Sequence, residues 1–238
     1  MADLAWVWGK WEQDVISFEQ HWYMLTFAYK WLGDKKVRSF ALPQFKEYRK
    51  DKTNDRALCQ KLWELFDEAD IVIAHNGDAF DIKKAQARFV QHGFKPPTPF
   101  ASVDTKKVAK KYFKFDSNSL NDLGQYLNIG KKVRHEGFEM WLDCAVRDRR
   151  DGWRKMIKYN EQDIVLLEKV YLALRPWMTN HPNANQYLDR KQGCPNCGSP
   201  KVTRAGTRVM RAEKKQRWHC QDCGAWRTSP FKEGALIR

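Results

Sequence analysis

The chain has 238 residues, enough for one sizeable domain and a small module, and 42 % of them are apolar, as in ordinary globular proteins. Lys and Arg (43) outnumber Asp and Glu (29), and the net charge of +14 suits a polyanionic partner, of which nucleic acid is the commonest. No apolar run approaches the roughly 20 residues of a membrane span, no amphipathic helix carrying a dense Lys/Arg face is expected, and Met1 to Asp14 lacks the basic and apolar regions of a secretion signal; a cytoplasmic chain with reduced thiols and no membrane partner is expected.

In chain order, Leu4 to Trp8, Tyr23 to Leu32 and Lys36 to Leu42 are rich in aromatic and β-branched residues and predict strands. Gly33-Asp34 between the last two predicts a hairpin. Arg56 to Ala69 places Leu58, Leu62, Leu65 and Phe66 at helical spacing. Ile71 to Ala74 is apolar at every position, as for a strand covered on both faces. A helix from Asp81 to His92 follows, with Ile82, Ala85 and Phe89 inward, then the stiff loop Lys95 to Pro99. Phe100 to Thr105 predicts a short strand running into a helix near Thr105 to Phe113, Ser119 a cap for another helix, and Gly152 to Leu174 a long one. A hairpin followed by alternating strands and helices is an α/β pattern with a mixed sheet.

Periodicity stops at Arg175 to Gln186, where Pro and Asn accumulate, so the domains divide as 1–178 and 193–230 with a linker at 179–192. The second part holds Cys194-x2-Cys197 and Cys220-x2-Cys223. Each short spacing lets two thiolates grip one ion, and two such knuckles complete a closed tetrahedral Zn²⁺ site that is structural and not catalytic. Two disulfides or a redox pair are the alternatives, and reduced surroundings argue against both. His219 is a weaker candidate ligand, and Cys59 and Cys144 fit helix cores. Between and beside the knuckles, Arg208, Arg211, Arg217 and Trp218 are candidates for nucleic-acid contact, cations for phosphates and the ring for a base, with protein docking or a purely stabilising role as the other readings; Trp226 flanks the same knuckle.

A second cluster lies where the buried strand ends, in His75, Asn76, Asp78 and Asp81. Asn76-Gly77 alone is a turn signal. Open α/β sheets, however, bind ligands at the carboxyl ends of their strands. On the long helix, Tyr159 and Asp163 lie on the apolar stripe of Met156, Leu166, Leu167, Val170 and Leu174. A carboxylate on a buried face demands a partner, either a metal ion or a Lys or Arg.

Asn76-x3-Phe80-Asp81 resembles the second motif of proofreading exonucleases, and Tyr159-x3-Asp163 resembles their third. With Ser102 to Thr105 and Leu120 to Lys132 between them, residues 4–178 resemble the DEDDy, RNase H-like 3′-to-5′ exonuclease superfamily, in particular its phage and bacterial branch of small proteins. The resemblance implies four carboxylates holding two Mg²⁺ or Mn²⁺ ions that activate water at the terminal phosphodiester of a DNA 3′ end. It assigns Asp163 and Asp81 to the metals, Tyr159 to the attacking water and Asn76 to the turn or the substrate strand. Asp104 fits a helix cap better than a catalytic role, and His75 a hydrogen-bonded core residue. Implied partners are single-stranded or 3′-ended DNA and a polymerase or helicase, in the host cytoplasm if the source is a phage.

The family's first motif, Asp-x-Glu on the central strand, is not found in the sequence. Its absence removes two metal ligands and leaves the neighbouring strands with open edges. Three explanations stand: a start upstream of Met1 or a broken gene, a degenerate fold that binds nucleic acid without cutting it, or service by Asp3, Glu12 or Asp14. The expectation is therefore an RNase H-like α/β domain without its first central strand, followed by a zinc ribbon, acting as a metal-dependent 3′-to-5′ exonuclease or as a silent nucleic-acid-binding module or scaffold.

Overall fold

The computed structural model describes residues 4–7, 14–132, 137–188 and 193–230. An antiparallel pair, β1 (Leu4–Val7) and β2 (Val15–Gln20), opens the chain; β2 is missing from the sequence-based expectation, its alternation being masked by polar Ser17, Glu19 and Gln20. The predicted hairpin forms from β3 (Thr26–Tyr29) and β4 (Arg38–Ala41), shorter than the aromatic runs suggest, with Phe27 opposite Phe40. Gly33 turns it at φ 97°, a conformation that glycine adopts without cost. Then come α1 (Arg56–Glu68), β5 (Ile71–Ala74), α2 (Asp81–Gln91), β6 (Ala101–Asp104) and α3 (Thr105–Tyr112). Next are α4 (Leu120–Tyr126), capped by Ser119 as expected, and α5 (Phe138–Ala145), which the sequence reading passes over. The long helix is α6 (Arg150–Leu174). The remaining elements are α7 (Ala184–Tyr187), β7 (Val202–Val209), β8 (Lys214–Cys220) and β9 (Trp226–Pro230).

The expected single mixed sheet is divided. Among the described residues, β3 pairs only with β4, and β5 pairs in parallel only with β6. Between the two halves lies a cavity of about 890 Å³, walled by β3 and β5, by Leu62 and Phe66 of α1, and by Ile164 and Leu167 of α6. Ile71 to Ala74 are for this reason half-buried rather than covered on both faces as their all-apolar sequence suggests. Helix α6 holds the halves together by packing on β3 and β4 and on α3, α4 and α5. Ser39 donates to Glu161 at 2.6 Å, and Lys30 pairs with Glu168.

Two apolar cores result. One gathers Met24, Leu42, Leu58, Ile82, Phe89 and Met156; the other gathers Val103, Leu123, Leu166, Val170 and Leu174. Cys59 and Cys144 are buried in the first, as expected. A charged network is embedded beside it. Asp55, fully buried, accepts from the Met24 N–H at 2.6 Å, from Arg88 Nε at 2.8 Å and from His92 Nε2 at 2.7 Å. It ties the start of the hairpin to α1 and α2.

The stretch after α6 is folded onto its surroundings. Ala184 N–H donates to Pro195 O, and Asn185 Nδ2 to Gly193 O, so α7 packs on the first cysteine knuckle. Asn196, buried, donates to Arg175 O at 2.7 Å and Met178 O at 3.1 Å, docking that knuckle on the end of α6.

Candidate functional site

The parallel pairing sets Ala74 beside Asp104, so both strands end at one edge. Asn76 turns the chain there at φ 65°, and its N–H donates to Asp104 Oδ1 at 2.9 Å. The next residue must be small: a Cβ on Gly77 would lie 2.3 Å from Ala74 Cβ. Asp104 also accepts from the Asp78, Lys106 and Lys107 N–H groups, so its oxygens are committed to the turn and to the cap of α3, as the sequence suggests. His75 is equally committed, with Nδ1 2.9 Å from Thr105 Oγ1 and Nε2 3.1 Å from Asn118 O; burial pushes its pKa down, so it stays neutral and structural. Asn76 shapes the turn and lines the cavity.

The turn delivers Asp81, the first residue of α2, to the cavity, and α6 delivers Asp163 to the same cavity. Asp81 is exposed and lines the cavity. Burial raises its pKa, the negative charge of Asp104 adds to this, and Lys132 opposes it. Asp163 Oδ2 accepts from Lys132 Nζ at 2.7 Å, and the same ammonium donates to Tyr159 OH at 3.1 Å. Burial lowers the Lys132 pKa, but these two partners outweigh it and raise the balance, so the ammonium stays charged. Asp163 Oδ1 is buried without a hydrogen-bond partner. The structure thus sets Asp81 and Asp163 on one cavity and ties Tyr159 to Asp163 through Lys132, a residue that periodicity does not single out because it lies in a loop.

The donor set fits one hard cation better than two. Mg²⁺ commonly sits on one or two carboxylates and keeps several waters, which Asp81 and Asp163 can provide for. A two-ion site needs more, and among the described residues no group of three acidic ligands forms that includes Asp81 or Asp163. Asp14 is exposed and does not line the cavity, while Asp3 and Glu12 lie outside the described residues. The other mixed group, Asp55, Cys59 and His92, has Arg88 already on its carboxylate.

The second candidate centre is the cysteine cluster. The four Sγ atoms lie within 4.8 Å of one another, with Cys194 to Cys223 at 3.6 Å and Cys197 to Cys220 at 3.7 Å. A tetrahedral Zn–S bond of about 2.3 Å implies S···S edges of about 3.8 Å, whereas a disulfide needs about 2.05 Å. Gly198 and Gly224 follow the knuckles at φ 72° and 77°, and their N–H groups close the turns onto Cys194 O and Cys220 O. The spacing fits one tetrahedral ion, and His219 is not in the cluster.

The three-stranded sheet β7-β8-β9 separates the residues proposed for nucleic acid. Register places Arg208 opposite Lys215, and Arg217 two residues on shares that face with His219 and Trp226. Trp226 stacks on His219 at 4.5 Å, beneath Arg217, and is about half exposed. Trp218 lies on the opposite face, with its Nε1 donating to Ser229 Oγ at 2.8 Å and Arg204 over its ring. Arg211 sits in the β7–β8 turn. The aromatic that accompanies Arg208 and Arg217 is thus Trp226, which the period-two alternation of β8 signals.

No helix among the described residues is long and apolar enough to cross a membrane. No curated protein matches the chain. A family model described as RNase H superfamily matches residues 17–175, a span that begins in β2, ends at the base of α6 and includes Asp81, Tyr159, Lys132 and Asp163. With more than half of its length inside that match, the chain belongs to the RNase H superfamily.

Proposed function

We propose that the chain is a 3′-to-5′ exonuclease-type hydrolase of DNA, depending on Mg²⁺ or Mn²⁺ and carrying a zinc ribbon that grips the strand. The superfamily supports the broad class, because its domains process nucleic acids and are generally dependent on divalent metals. The observation that carries the reading is the convergence of Asp81 and Asp163 on one cavity, with Asp163 Oδ1 buried and unsatisfied. An acceptor left so is costly unless a donor or a cation meets it, and on a carboxylate that already bonds an ammonium a cation is the partner that the proposed chemistry supplies. A divalent ion on these carboxylates would supply charge neutralisation at the scissile phosphate. Tyr159 would orient the attacking water, and Lys132, bonded to both Tyr159 and Asp163, is placed to meet a phosphate oxygen. The four thiolates would hold Zn²⁺ and so fix the ribbon against the end of α6.

The test is digestion of 5′-labelled DNA with an unpaired 3′ end, in Mn²⁺ and in Mg²⁺, beside the Asp81→Ala/Asp163→Ala double variant. Stepwise shortening lost in the variant supports the reading. Binding without shortening supports a second reading, a silent nucleic-acid-binding module, which the pairing of Lys132 with Asp163 and the lack of a third carboxylate ligand among the described residues favour.

A further inference from the structure

Helix α3 carries a charge pattern that the acidic site does not explain. Lys106, Lys107, Lys110 and Lys111 fall within about 140° of its circumference at 100° per residue, and Lys114 continues the row just past its end. Its other face, with Thr105 and Ala109, is buried in the core. Only Lys107 has an ion-pair partner among the described residues, Asp78 at 2.7 Å. Lys106 with Lys110 and Lys107 with Lys111 are like charges one turn apart, an arrangement that destabilises a helix. Such a row is sustained most simply by a polyanion. A membrane surface is the poorer match, because an interfacial helix must insert an apolar face, and that of α3 is already packed against Val103 and Val170.

The two ends of the row give it direction. Its start is tied to the candidate site: Asp104 caps α3 and accepts from the Asn76 N–H, while Thr105 bonds His75. Its far end runs into an aromatic group. Phe113 stacks on Phe115 at 5.1 Å; Trp177 packs edge-on against Phe113 and Tyr126 against Phe115. Trp177 and Tyr126 are 62 % and 65 % exposed, so open ring surface packs on Phe113 and Phe115, the two residues that flank Lys114 in the chain. Cations in a row followed by open rings suit one unpaired strand, with phosphates on the ammonium groups and bases on the rings. A duplex, its bases stacked inside, has no use for the rings.

We infer that the lysine face of α3, with Trp177 and Tyr126, is a track that holds a single strand of nucleic acid leading to the Asp81–Asp163 cavity. This rests on the nucleic-acid reading above and deepens it by assigning the strand's path and form. The test measures binding of a labelled single strand of about 20 nucleotides by anisotropy over a range of salt, using the full chain without divalent metal. Each phosphate contact on a single strand contributes about 0.7 to the slope of log K against log salt. The Lys107→Gln/Lys110→Gln/Lys111→Gln/Lys114→Gln variant should lower that slope by about 2 to 3 and weaken low-salt binding by about 10- to 100-fold. Trp177→Ala/Tyr126→Ala should weaken binding by about tenfold and leave the slope unchanged. Both sets are exposed, and an unchanged melting temperature confirms folding. An unchanged slope in the lysine variant with wild-type binding intact overturns the track and leaves the nuclease reading standing, and so does a slope lowered only by Arg208→Gln/Arg217→Gln. Failure of the wild type to bind any strand or duplex overturns both. Equal affinity of the wild type for duplex overturns the assignment to a single strand.

Discussion

Replacing Lys132 tests whether its ammonium stands where a metal ion would act. Lys132 Nζ lies 2.7 Å from Asp163 Oδ2, and the two side chains are 28 % and 22 % exposed. Unit charges about 4 Å apart attract by about 4 kcal/mol at an effective dielectric of 20. Desolvation and ordering of the two side chains cancel much of this, and a charged hydrogen bond of this kind is left with about 1–2 kcal/mol. A divalent ion approaching Asp163 has to displace that bond. Lys132→Met should therefore raise Mn²⁺ affinity by roughly 5- to 30-fold, since about 1.4 kcal/mol is a factor of ten. The metal-free variant should also melt lower than the wild type, because both Asp163 oxygens are then without a partner, and Mn²⁺ should restore the difference. Titration calorimetry or the electron paramagnetic resonance signal of free Mn²⁺ reads the first effect, and a thermal melt with and without Mn²⁺ reads the second. Equal Mn²⁺ affinity in wild type and variant would refute the reasoning. Equal affinity in Asp163→Asn would remove Asp163 from the metal site altogether.

Other perturbations probe the frame around the site. Asp55→Asn removes the charge from a fully buried carboxylate that faces Arg88 and should cost about 3–5 kcal/mol in a urea melt. Burial pushes the Asp55 pKa up, but the bonds from Arg88, the Met24 N–H and His92 outweigh it and hold it below the usual carboxylate range. Its contribution is thus complete above the unfolded-state pKa and is lost as pH falls through the folded one, so the variant should show a flatter acid limb of stability. Gly77→Ala forces a Cβ to 2.3 Å from Ala74 Cβ; it should cost about 1–3 kcal/mol and, by shifting the turn, impair any Mn²⁺ binding at Asp81. Elemental analysis should find one zinc per chain, and Cys220→Ser should abolish it while the far-ultraviolet dichroism of the helices remains.

The sequence was most informative where one period governs a segment. The helical spacing of Leu58 and Phe66, the inward Ile82, Ala85 and Phe89, and the cap at Ser119 are all found as expected. It was least informative where tertiary contacts override local pattern. Strand β2 leaves Val15, Ile16 and Phe18 exposed, so its alternation marks no buried face. Helix α5 buries only Met140 and Cys144 in a short span. Asp163 was legible because a carboxylate on an apolar helix stripe is costly, and Asp81 because it follows the carboxyl end of an apolar strand. Lys132 was not, because loop residues have no period, and its partnership exists only across 31 positions of chain. The lysine face of α3 runs against the expectation that no helix carries a dense basic face; four lysines in a short helix show as a face only once Thr105 and Ala109 are known to be buried opposite them.

The divided sheet and the short metal-donor set are two aspects of one feature. On the proposed exonuclease reading, a first acidic motif would belong on the central strand. Here the centre of the sheet, between β3 and β5, is the cavity itself. Its walls carry backbone edges that no described strand pairs and an acceptor on Asp163 that no donor meets. Both are the kind of group that folded proteins rarely leave unsatisfied. A strand added along β3 or β5 would pair with an open edge and stand side chains in the cavity that Asp81 and Asp163 line. If it brings carboxylates, the site gains the ligands that two ions require. If it does not, one ion competing with Lys132 is the most that the cavity supports. Mn²⁺ stoichiometry at Asp81 and Asp163 therefore reports on the middle of the sheet as directly as on the chemistry: a value of two requires further oxygen ligands in the cavity, whereas a value of one, raised in affinity by Lys132→Met, is what the described residues provide.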